Sequence, residues 1–135
     1  MLNFTQPDVI LPTTADDDPR LGHLLGTRLA GGTAPRVVLV GFPSDEGVHR
    51  NGGRVGAAGA PDEIRRMLFR LTPDAERFEE SVDLLEHTLD LGNIALSDDV
   101  ERDQALLGEV LAPHLATGSF VIVLGGGHET SFGHF

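Results

Sequence analysis

The residues best able to do chemistry in this chain lie in two glycine-rich segments. The first runs from Gly41 to Gly59, has six glycines in nineteen residues and carries several charged and polar side chains. The second is a run of three glycines, Gly125 to Gly127, followed directly by His128. Glycine permits a sharp turn with close backbone approach, and a histidine at the rim of such a turn can bind a metal ion. For the second segment alone, an ordinary turn with a rim histidine is an equally good interpretation.

Both segments directly follow short apolar runs that predict β-strands. Residues 36–41 contain a short run rich in β-branched side chains, a pattern typical of a strand buried on both faces of a parallel sheet, and residues 119–124 contain another apolar strand run. In sheets of this kind, ligands bind outside the carboxyl ends of the strands. We therefore expect the two glycine-rich segments to converge on one site.

Three helices are predicted around these strands. The first follows Pro19 and stops at Gly31, the second starts at Pro61, and the third is capped by residues 97–99 and reaches Thr117. Apolar spacing in the second and third helices predicts the following core positions: Ile64, Met67, Leu68, Leu71, Leu106, Leu107, Val110, Leu111 and Leu115.

The remaining segments complete an α/β pattern. Residues 88–94 predict another strand, residues 82–85 fit a strand or a helix equally well, and residues 72–81 stay unassigned. Residues 1–17 are interpreted as an extended lead-in. The order of strands and helices indicates an α/β fold with a mainly parallel sheet.

The composition argues against several kinds of site and partner. The chain has 135 residues, a net charge of −11, no cysteine, and ten basic residues that are all arginine. Thiol catalysis and cysteine-ligated metals are therefore excluded, and so are Schiff-base chemistry and P-loops, which need lysine. The negative charge argues against a nucleic-acid partner. No apolar run reaches the roughly 18 residues of a membrane helix, so we expect a cytoplasmic chain without a membrane partner.

The two segments together resemble those of the ureohydrolases, the family of arginase, agmatinase and formimidoylglutamase. The shared features are a strand ending in glycine, a glycine-rich loop, a Gly-x-Pro-x-x-Ile-Arg helix start at residues 59–65, and Gly-Gly-Gly-His after a later strand. Residues 45–57 and the Gly-Gly-Gly-His-Glu ending are most similar to the formimidoylglutamase branch. The resemblance covers residues 37–135 and implies a partial three-layer α/β/α, arginase-like fold. Residues 1–135 would be the amino-terminal part of a single ureohydrolase domain.

The resemblance also implies a binuclear manganese (Mn2+) site. His128 matches a family histidine that binds one of the two ions, and Glu129 and His134 are close enough in sequence to assist it. Residues 90–93 are similar to a mainly structural Asp-x-Gly-Asp segment, with Asn93 in place of the second acid. The family's other ligands lie in Asp-x-His-x-Asp and Asp-x-Asp segments, and neither follows His128 here. The site is therefore expected to be incomplete in this chain.

In the family, two metal ions share a water molecule and lower its pKa, and the resulting hydroxide attacks the amidine carbon of the substrate. For the formimidoylglutamase branch, the resemblance implies hydrolysis of N-formimidoyl-L-glutamate to glutamate and formamide in histidine degradation. One alternative is another ureohydrolase, an agmatinase or a guanidino-acid hydrolase. An alternative of a different class is a non-catalytic assembly or binding module. A cut sheet exposes an edge, which predicts a homo-oligomer.

A substrate with two carboxylates needs cationic donors, and the first glycine-rich segment offers Arg50 and Arg54. A guanidinium can hold a carboxylate through two parallel hydrogen bonds. In the alternative interpretation, these arginines pair with neighbouring acids or backbone carbonyls and hold the loop. The position of the loop makes Arg50, Asn51 and Arg54 the predicted substrate-binding residues and His128 the predicted metal ligand. The sequence assigns no catalytic residue.

Overall fold

The computed structural model describes residues 4–29 and 31–134, so the first three residues of the predicted lead-in lie outside the described part. The elements in chain order are β1 (Phe4–Thr5), α1 (Leu21–Leu24), β2 (Val37–Phe42), α2 (Glu46–Arg50), a 3-10 turn (Ala57–Gly59), α3 (Ala60–Leu68), α4 (Phe78–Glu86), β3 (Thr88–Ile94), α5 (Val100–Ala116), β4 (Phe120–Gly125) and a 3-10 helix (His128–His134). No helix in these ranges is long and apolar enough to cross a lipid bilayer.

One mixed sheet, with strand order β1-β3-β2-β4, forms the centre of the fold. Strand β2 pairs in parallel with both β3 and β4, whereas the short β1 runs antiparallel to β3. Helices α5 and α3 contact opposite faces of this sheet, which gives the α/β/α layers. The predicted α/β fold with a mainly parallel sheet is thus confirmed. Because β2 and β4 are parallel neighbours, the two glycine-rich segments leave from the same end of the sheet, where the carboxyl ends of these strands lie.

The main hydrophobic core lies between the sheet and α5. Asp99 begins this helix as predicted, because its carboxylate accepts a hydrogen bond from the Arg102 amide at 3.0 Å. Leu115, predicted as a core residue, is half-exposed. The buried side chains of the cluster are Val40, Phe42, Ile94, Leu107, Val110 and Leu111.

The opposite face is organised around one charged side chain. Arg65 of α3 is fully buried against the sheet, with Pro61 buried one turn earlier. Successive helical residues are about 100° apart, so pointing Arg65 inward turns Ile64 and Met67 toward solvent. Their predicted core positions are therefore wrong, and so is that of Leu71, which follows the helix.

A β-bulge in β3 explains how the sheet receives Arg65. Leu39 of β2 pairs with Asp90, but Gly41 pairs with Asn93, so β3 contains one extra residue between these pairs. Residues three apart on a regular strand point to opposite faces, whereas the extra residue brings Asp90 and Asn93 to the same face. Gly92 occupies the bulge with a φ of 81°, a conformation that favours glycine.

All five N–H donors of the Arg65 guanidinium have acceptors. Two bonds of 2.9 Å form the fork to the Asp90 carboxylate, and others reach the Asn93 side chain at 2.6 Å and the Gly92 carbonyl at 2.9 Å. The fifth is a long contact to the Pro61 carbonyl. The segment at 90–93 is therefore a structural anchor for α3, as the resemblance implied, and the amide of Asn93 serves it without a second acid.

The first predicted helix is shorter than the apolar spacing indicated. Helix α1 has four residues, and Gly26 then adopts a φ of 68°. Beyond α1 the chain bonds to the end of α4: the Gly26 amide donates to Leu85 O and the Arg28 amide to Glu86 O. These contacts replace the hydrogen bonds that a longer helix would make within itself.

Two segments gain helices that the sequence did not predict. Residues 41–59, predicted as a loop, contain α2 and a 3-10 turn, and the unassigned residues 72–81 contain the start of α4. Residues 82–85, which fitted a strand or a helix equally well, lie in α4 and are helical. The strand at 88–94 is confirmed.

Strand β4 lies at an edge of the sheet and is not buried on both faces. Its side chains alternate, with Val121 and Val123 packed against the core and Phe120 and Ile122 exposed on the α3 side. An edge strand presents one row of backbone groups without a neighbouring strand. The continuous apolar run therefore does not mean burial on both faces here, because Phe120 and Ile122 are left exposed on one of them.

Candidate metal and substrate site

The two glycine-rich segments meet directly at the carboxyl ends of β2 and β4. The Gly126 amide donates to Phe42 O at 3.1 Å, and the Gly127 amide donates to Ser44 O at 2.7 Å. A side chain at Gly126 would overlap the Ser44 carbonyl. The predicted convergence is present, and the glycines are needed because two backbones pass within hydrogen-bond distance.

His128 stands at the start of the final 3-10 helix and is exposed to solvent. The turn that presents it is fixed by two hydroxyl groups: Thr130 Oγ1 donates to Gly127 O at 2.8 Å and Ser131 Oγ donates to His128 O at 2.7 Å. His128 and His134 line one cleft of about 410 Å³ beside the end of β4. The imidazole is therefore accessible to a ligand on a turn whose backbone is held.

Glu129, next to His128, contacts the other glycine-rich segment. Its Oε1 accepts a hydrogen bond from Ser44 Oγ at 3.0 Å and another from the Gly47 amide at 3.1 Å. The carbonyl oxygen of Glu129 accepts from Gln104 Nε2 of α5 at 2.9 Å. That Glu129 assists His128 stays a prediction. In the structure, the hydrogen bonds of its carboxylate go to the loop at residues 44–47.

The first segment is folded back on itself by Asp45. Asp45 Oδ2 accepts from the Gly56 amide at 2.6 Å and from the Ala58 amide at 3.4 Å, which joins the two ends of the loop. These bonds stabilise the charged carboxylate, and the one from Gly56 contributes most to holding the pKa of Asp45 below its ordinary value. Asp45 is therefore an ionised structural residue near neutral pH.

Arg50 already has two acidic partners. Its Nη1 donates to Glu101 of α5 at 2.6 Å, and its Nε donates to Glu46 one helical turn earlier at 3.0 Å. The hydrogen bond to Glu101, followed by that to Glu46, raises the pKa of Arg50 above its ordinary value, and the same contact lowers the pKa of Glu101. The alternative in which Arg50 holds the loop therefore has direct contacts in the structure.

Asn51 and Arg54 differ from Arg50 in what they contact. Asn51 follows α2, and its Nδ2 donates at 3.0 Å to Gly47 O, a carbonyl that also accepts the backbone amide of Asn51. Arg54 is exposed on the loop, and within residues 4–29 and 31–134 it forms no ion pair or side-chain hydrogen bond. Among the predicted substrate-binding residues, Arg54 is therefore the one whose side chain has no hydrogen-bonding partner in the described part of the chain.

The side chains of the described ranges do not form a site for two metal ions. No group of three or more histidine, aspartate or glutamate side chains among them is arranged to hold a metal. His128 is one nitrogen donor, whereas a pair of Mn2+ ions requires several oxygen and nitrogen ligands. That further ligands are needed from elsewhere stays a prediction.

Two residues of this region were not identified from the sequence. Ser44 and Glu101 are, respectively, 85 and 51 residues from the groups they contact, Glu129 and Arg50. Spacing along a chain carries no information about such partners. The signal that did exist was the Gly-Gly-Gly-His-Glu sequence, since three glycines before an acid indicate a close approach to another backbone.

Comparison with known sequences gives a consistent set of relatives. The sequence model of the arginase family matches residues 35–135 of this chain. The formimidoylglutamase of Chromobacterium violaceum is 43% identical over 103 residues, which cover 76% of this chain and 30% of that protein. The formimidoylglutamase of Salmonella heidelberg is 43% identical over 100 residues, covering 73% and 29% respectively. The chain thus spans about 30% of the length of the relatives it matches.

Solved structures show the same similarity. The formiminoglutamase of Trypanosoma cruzi, solved with Mn2+, aligns with a TM-score of 0.70 and 33% identity over 87% of this chain and 39% of that one. The arginase of Bacillus subtilis aligns with a TM-score of 0.53 and 25% identity over 72% of this chain and 31% of that one. Both comparisons support the arginase-like arrangement of strands and helices described above.

Proposed function

Because this chain belongs to the arginase family, we propose that it forms part of a manganese-dependent hydrolase that cleaves the formimino carbon–nitrogen bond of N-formimidoyl-L-glutamate. The observation that carries the proposal is the meeting of the glycine-rich loop and the His128 turn at the carboxyl ends of β2 and β4. The 43% identity to formimidoylglutamases supports this substrate over arginine or agmatine. The reaction would release glutamate and formamide, as a step of histidine degradation in the cytoplasm.

In this proposal, His128 supplies one ligand and the remaining ligands come from residues outside the chain. The support is the exposed imidazole on a fixed turn, together with the absence of any group of three or more metal-binding side chains in the described ranges. The chain by itself should therefore not hydrolyse the substrate. The exposed edge at β4, with Phe120 and Ile122 uncovered, supports association with further polypeptide, and we propose a homo-oligomer as the assembled form.

Arg54, Arg50 and Asn51 are proposed to bind the carboxylates of the substrate, with Arg54 first in importance. Arg54 is exposed on the loop and has no acidic partner among the described residues, whereas Arg50 would have to exchange Glu101 or Glu46 for the substrate. Asn51 would have to release the Gly47 carbonyl. Substrate binding through Arg54 alone leaves the loop contacts intact.

A chimera tests the proposed function. Residues 35–135 of this chain replace the matching segment of the Chromobacterium violaceum formimidoylglutamase, and hydrolysis of N-formimidoyl-L-glutamate, agmatine and arginine is measured with Mn2+ present. We expect hydrolysis of N-formimidoyl-L-glutamate alone and its loss in the His128→Ala variant. The unmodified relative is the control for assay conditions, and thermal unfolding checks that the chimera is folded.

The other outcomes identify the alternatives. A folded chimera that prefers agmatine or a guanidino acid would contradict the proposed substrate and favour another ureohydrolase. A folded chimera that is inactive on every substrate would favour the non-catalytic module. Manganese calorimetry on the chain itself adds a second measurement, for which we expect at most weak binding that is lost in His128→Ala; tight binding of two ions would contradict the incomplete site.

A matched pair of substitutions tests the arginines in the same chimera. Arg54→Gln should raise KM by roughly tenfold or more, the effect of losing a charge-assisted hydrogen bond, with little change in thermal stability. Arg50→Gln should raise KM less, because Arg50 is engaged by Glu101 and Glu46. An unchanged KM in Arg54→Gln would remove Arg54 from the substrate site.

A further inference from the structure

We propose that Glu129 is a positioning residue that couples the glycine-rich loop to the His128 turn. The inference rests on the proposed function only in taking these two segments as halves of one site. Glu129 Oε1 accepts two hydrogen bonds from the loop, one from Ser44 Oγ at 3.0 Å and one from the Gly47 amide at 3.1 Å. Hydrogen bonds to an ionised carboxylate are stronger than those between neutral groups. One side chain thus links the ligand-bearing turn to the first residues of the loop.

Two glycines leave the room that the Glu129 carboxylate occupies. A Cβ atom at Gly47 would lie 2.8 Å from Glu129 Oε2, and one at Gly127 would overlap the same oxygen. Real side chains do not tolerate such distances, so any larger residue would displace the carboxylate. Two glycines from different segments therefore have a shared explanation, which is room for this carboxylate between them.

The backbone of Glu129 is held from a third direction. Gln104 of α5 donates to its carbonyl oxygen at 2.9 Å, and Gly133 packs closely against the backbone of Gln104. The final 3-10 helix is therefore fixed on α5, which itself packs on the core. The carboxylate thus reaches the loop from a backbone that is itself held on α5.

The far end of the loop is closed separately by Asp45, which bonds to the Gly56 and Ala58 amides. Glu129 fixes where α2 begins, and Asp45 fixes how the loop returns to α3. Since Arg50 and Arg54 lie between these two points, the position of both arginines relative to His128 depends on Glu129. Losing its carboxylate should loosen the start of α2, while the Gly127–Ser44 backbone bond and the rest of the fold stay in place.

Limited proteolysis with trypsin on the purified chain tests this coupling. Trypsin cleaves after arginine, so the rate at Arg50 and Arg54 reports opening of the loop, and the rate at Arg77, an exposed arginine elsewhere, is the internal reference. The variants are Glu129→Ala, which removes the acceptor, and Glu129→Gln, which keeps one acceptor oxygen of the same shape. Glu109→Ala, an exposed acid on α5, is the matched control for charge.

We expect Glu129→Ala to raise cleavage at Arg50 and Arg54 by roughly tenfold or more relative to Arg77, as two hydrogen bonds to a carboxylate are lost. Glu129→Gln should return the ratio to within about threefold of the original chain, and Ser44→Ala should fall between them. Hydrogen exchange of the Gly47 amide should follow the same order. Glu109→Ala should leave every ratio unchanged.

Two results would overturn the proposal. An unchanged ratio in Glu129→Ala would show that the loop does not depend on this carboxylate. An equal rise at Arg77 would show that the substitution weakens the whole fold, since global unfolding exposes all three arginines together. Neither metal nor substrate is present in the experiment, so its failure would be separate from a failure of the proposed hydrolase, which only the chimera tests.

Discussion

Arg65 and Arg50 show how differently one residue type is used in two regions of this protein. Arg65 is fully buried and all five of its donors are satisfied by groups on β3 and α3. The side chain of Arg50 is 47% exposed, and the side chains of its two acidic partners, Glu46 and Glu101, are 44% and 68% exposed. The first network fixes how a helix lies on the sheet, whereas the second restrains a loop.

The contrast teaches that ion pairing alone does not identify a structural residue. A buried pair leaves an uncompensated charge when one partner is removed, whereas exposed pairs contribute little because water replaces the lost partner. The Arg65 cluster should therefore control global stability. The Arg50 contacts should control only the loop, which leaves that region free to be adapted for binding.

The largest expected effect is that of Arg65→Met. The substitution leaves the Asp90 carboxylate facing an apolar side chain, and breaking a buried pair in this way costs about 3–5 kcal/mol of unfolding free energy. Urea denaturation measures the loss, with Arg102→Met on the exposed face of α5 as the control. A loss no larger than that of the control would remove the contrast between the two arginines.

Gly92→Ala tests the bulge that carries the Arg65 cluster. A positive φ costs a non-glycine residue about 1–2 kcal/mol, and a Cβ here would also lie 2.6 Å from Thr5 O. Gly118 has a similar φ of 83° with nothing within 4 Å, so Gly118→Ala measures the backbone cost alone. We expect Gly92→Ala to be the more destabilising in thermal unfolding; equal losses would mean that β1 moves aside without cost.

A smaller, local effect is expected when acid titrates Asp45. Its pKa is lower in the folded chain than the unfolded value of about 3.9. The ionised carboxylate therefore stabilises the loop above that unfolded value, and the contribution is lost as the pH falls through the folded pKa. A carboxyl NMR titration should place the Asp45 midpoint below 3.9, and the Gly56 amide resonance should follow it. Independent titration of Gly56 would contradict the contact.

The smallest effect on stability is expected for Arg50→Gln. Because Arg50 and both its partners are exposed, the urea midpoint should not change measurably. The pKa of Glu101 should rise toward its ordinary value, because the side-chain bond to Arg50 is the main cause of its depression. The same NMR titration detects this change. A clear loss of global stability would show that the loop contacts matter as much as the Arg65 cluster.

Much of the fold follows from patterns local in sequence. The apolar runs before Gly41 and Gly125 located β2 and β4, and the acidic cap at Asp99 located the start of α5. The rule that ligands bind at the carboxyl ends of parallel strands added the convergence of the two glycine-rich segments. These features are encoded within a few residues of where they occur, so they can be identified without a structure.

The errors arose where distant parts of the chain decide the outcome. Helix α3 faces the sheet through Arg65 because a bulge in β3 offers acceptors, and no helical periodicity contains that information. The edge position of β4 depends on strand order, which short apolar runs do not specify. At the candidate site, the turn that presents His128 was predictable from its glycines, whereas the engagement of Arg50 by Glu101 required knowledge of where α5 lies.

The parallel pairing of β2 with β4 also has a consequence for how the protein reaches its native state. The Ser44–Glu129 bond joins residues 85 positions apart, and contacts between distant residues form only after the entropy of closing a long loop has been overcome. The bulged β2–β3 pair involves shorter separations and can form earlier. The candidate site should thus assemble late on the folding pathway, and substitutions at Ser44 or Glu129 should leave the folding rate almost unchanged.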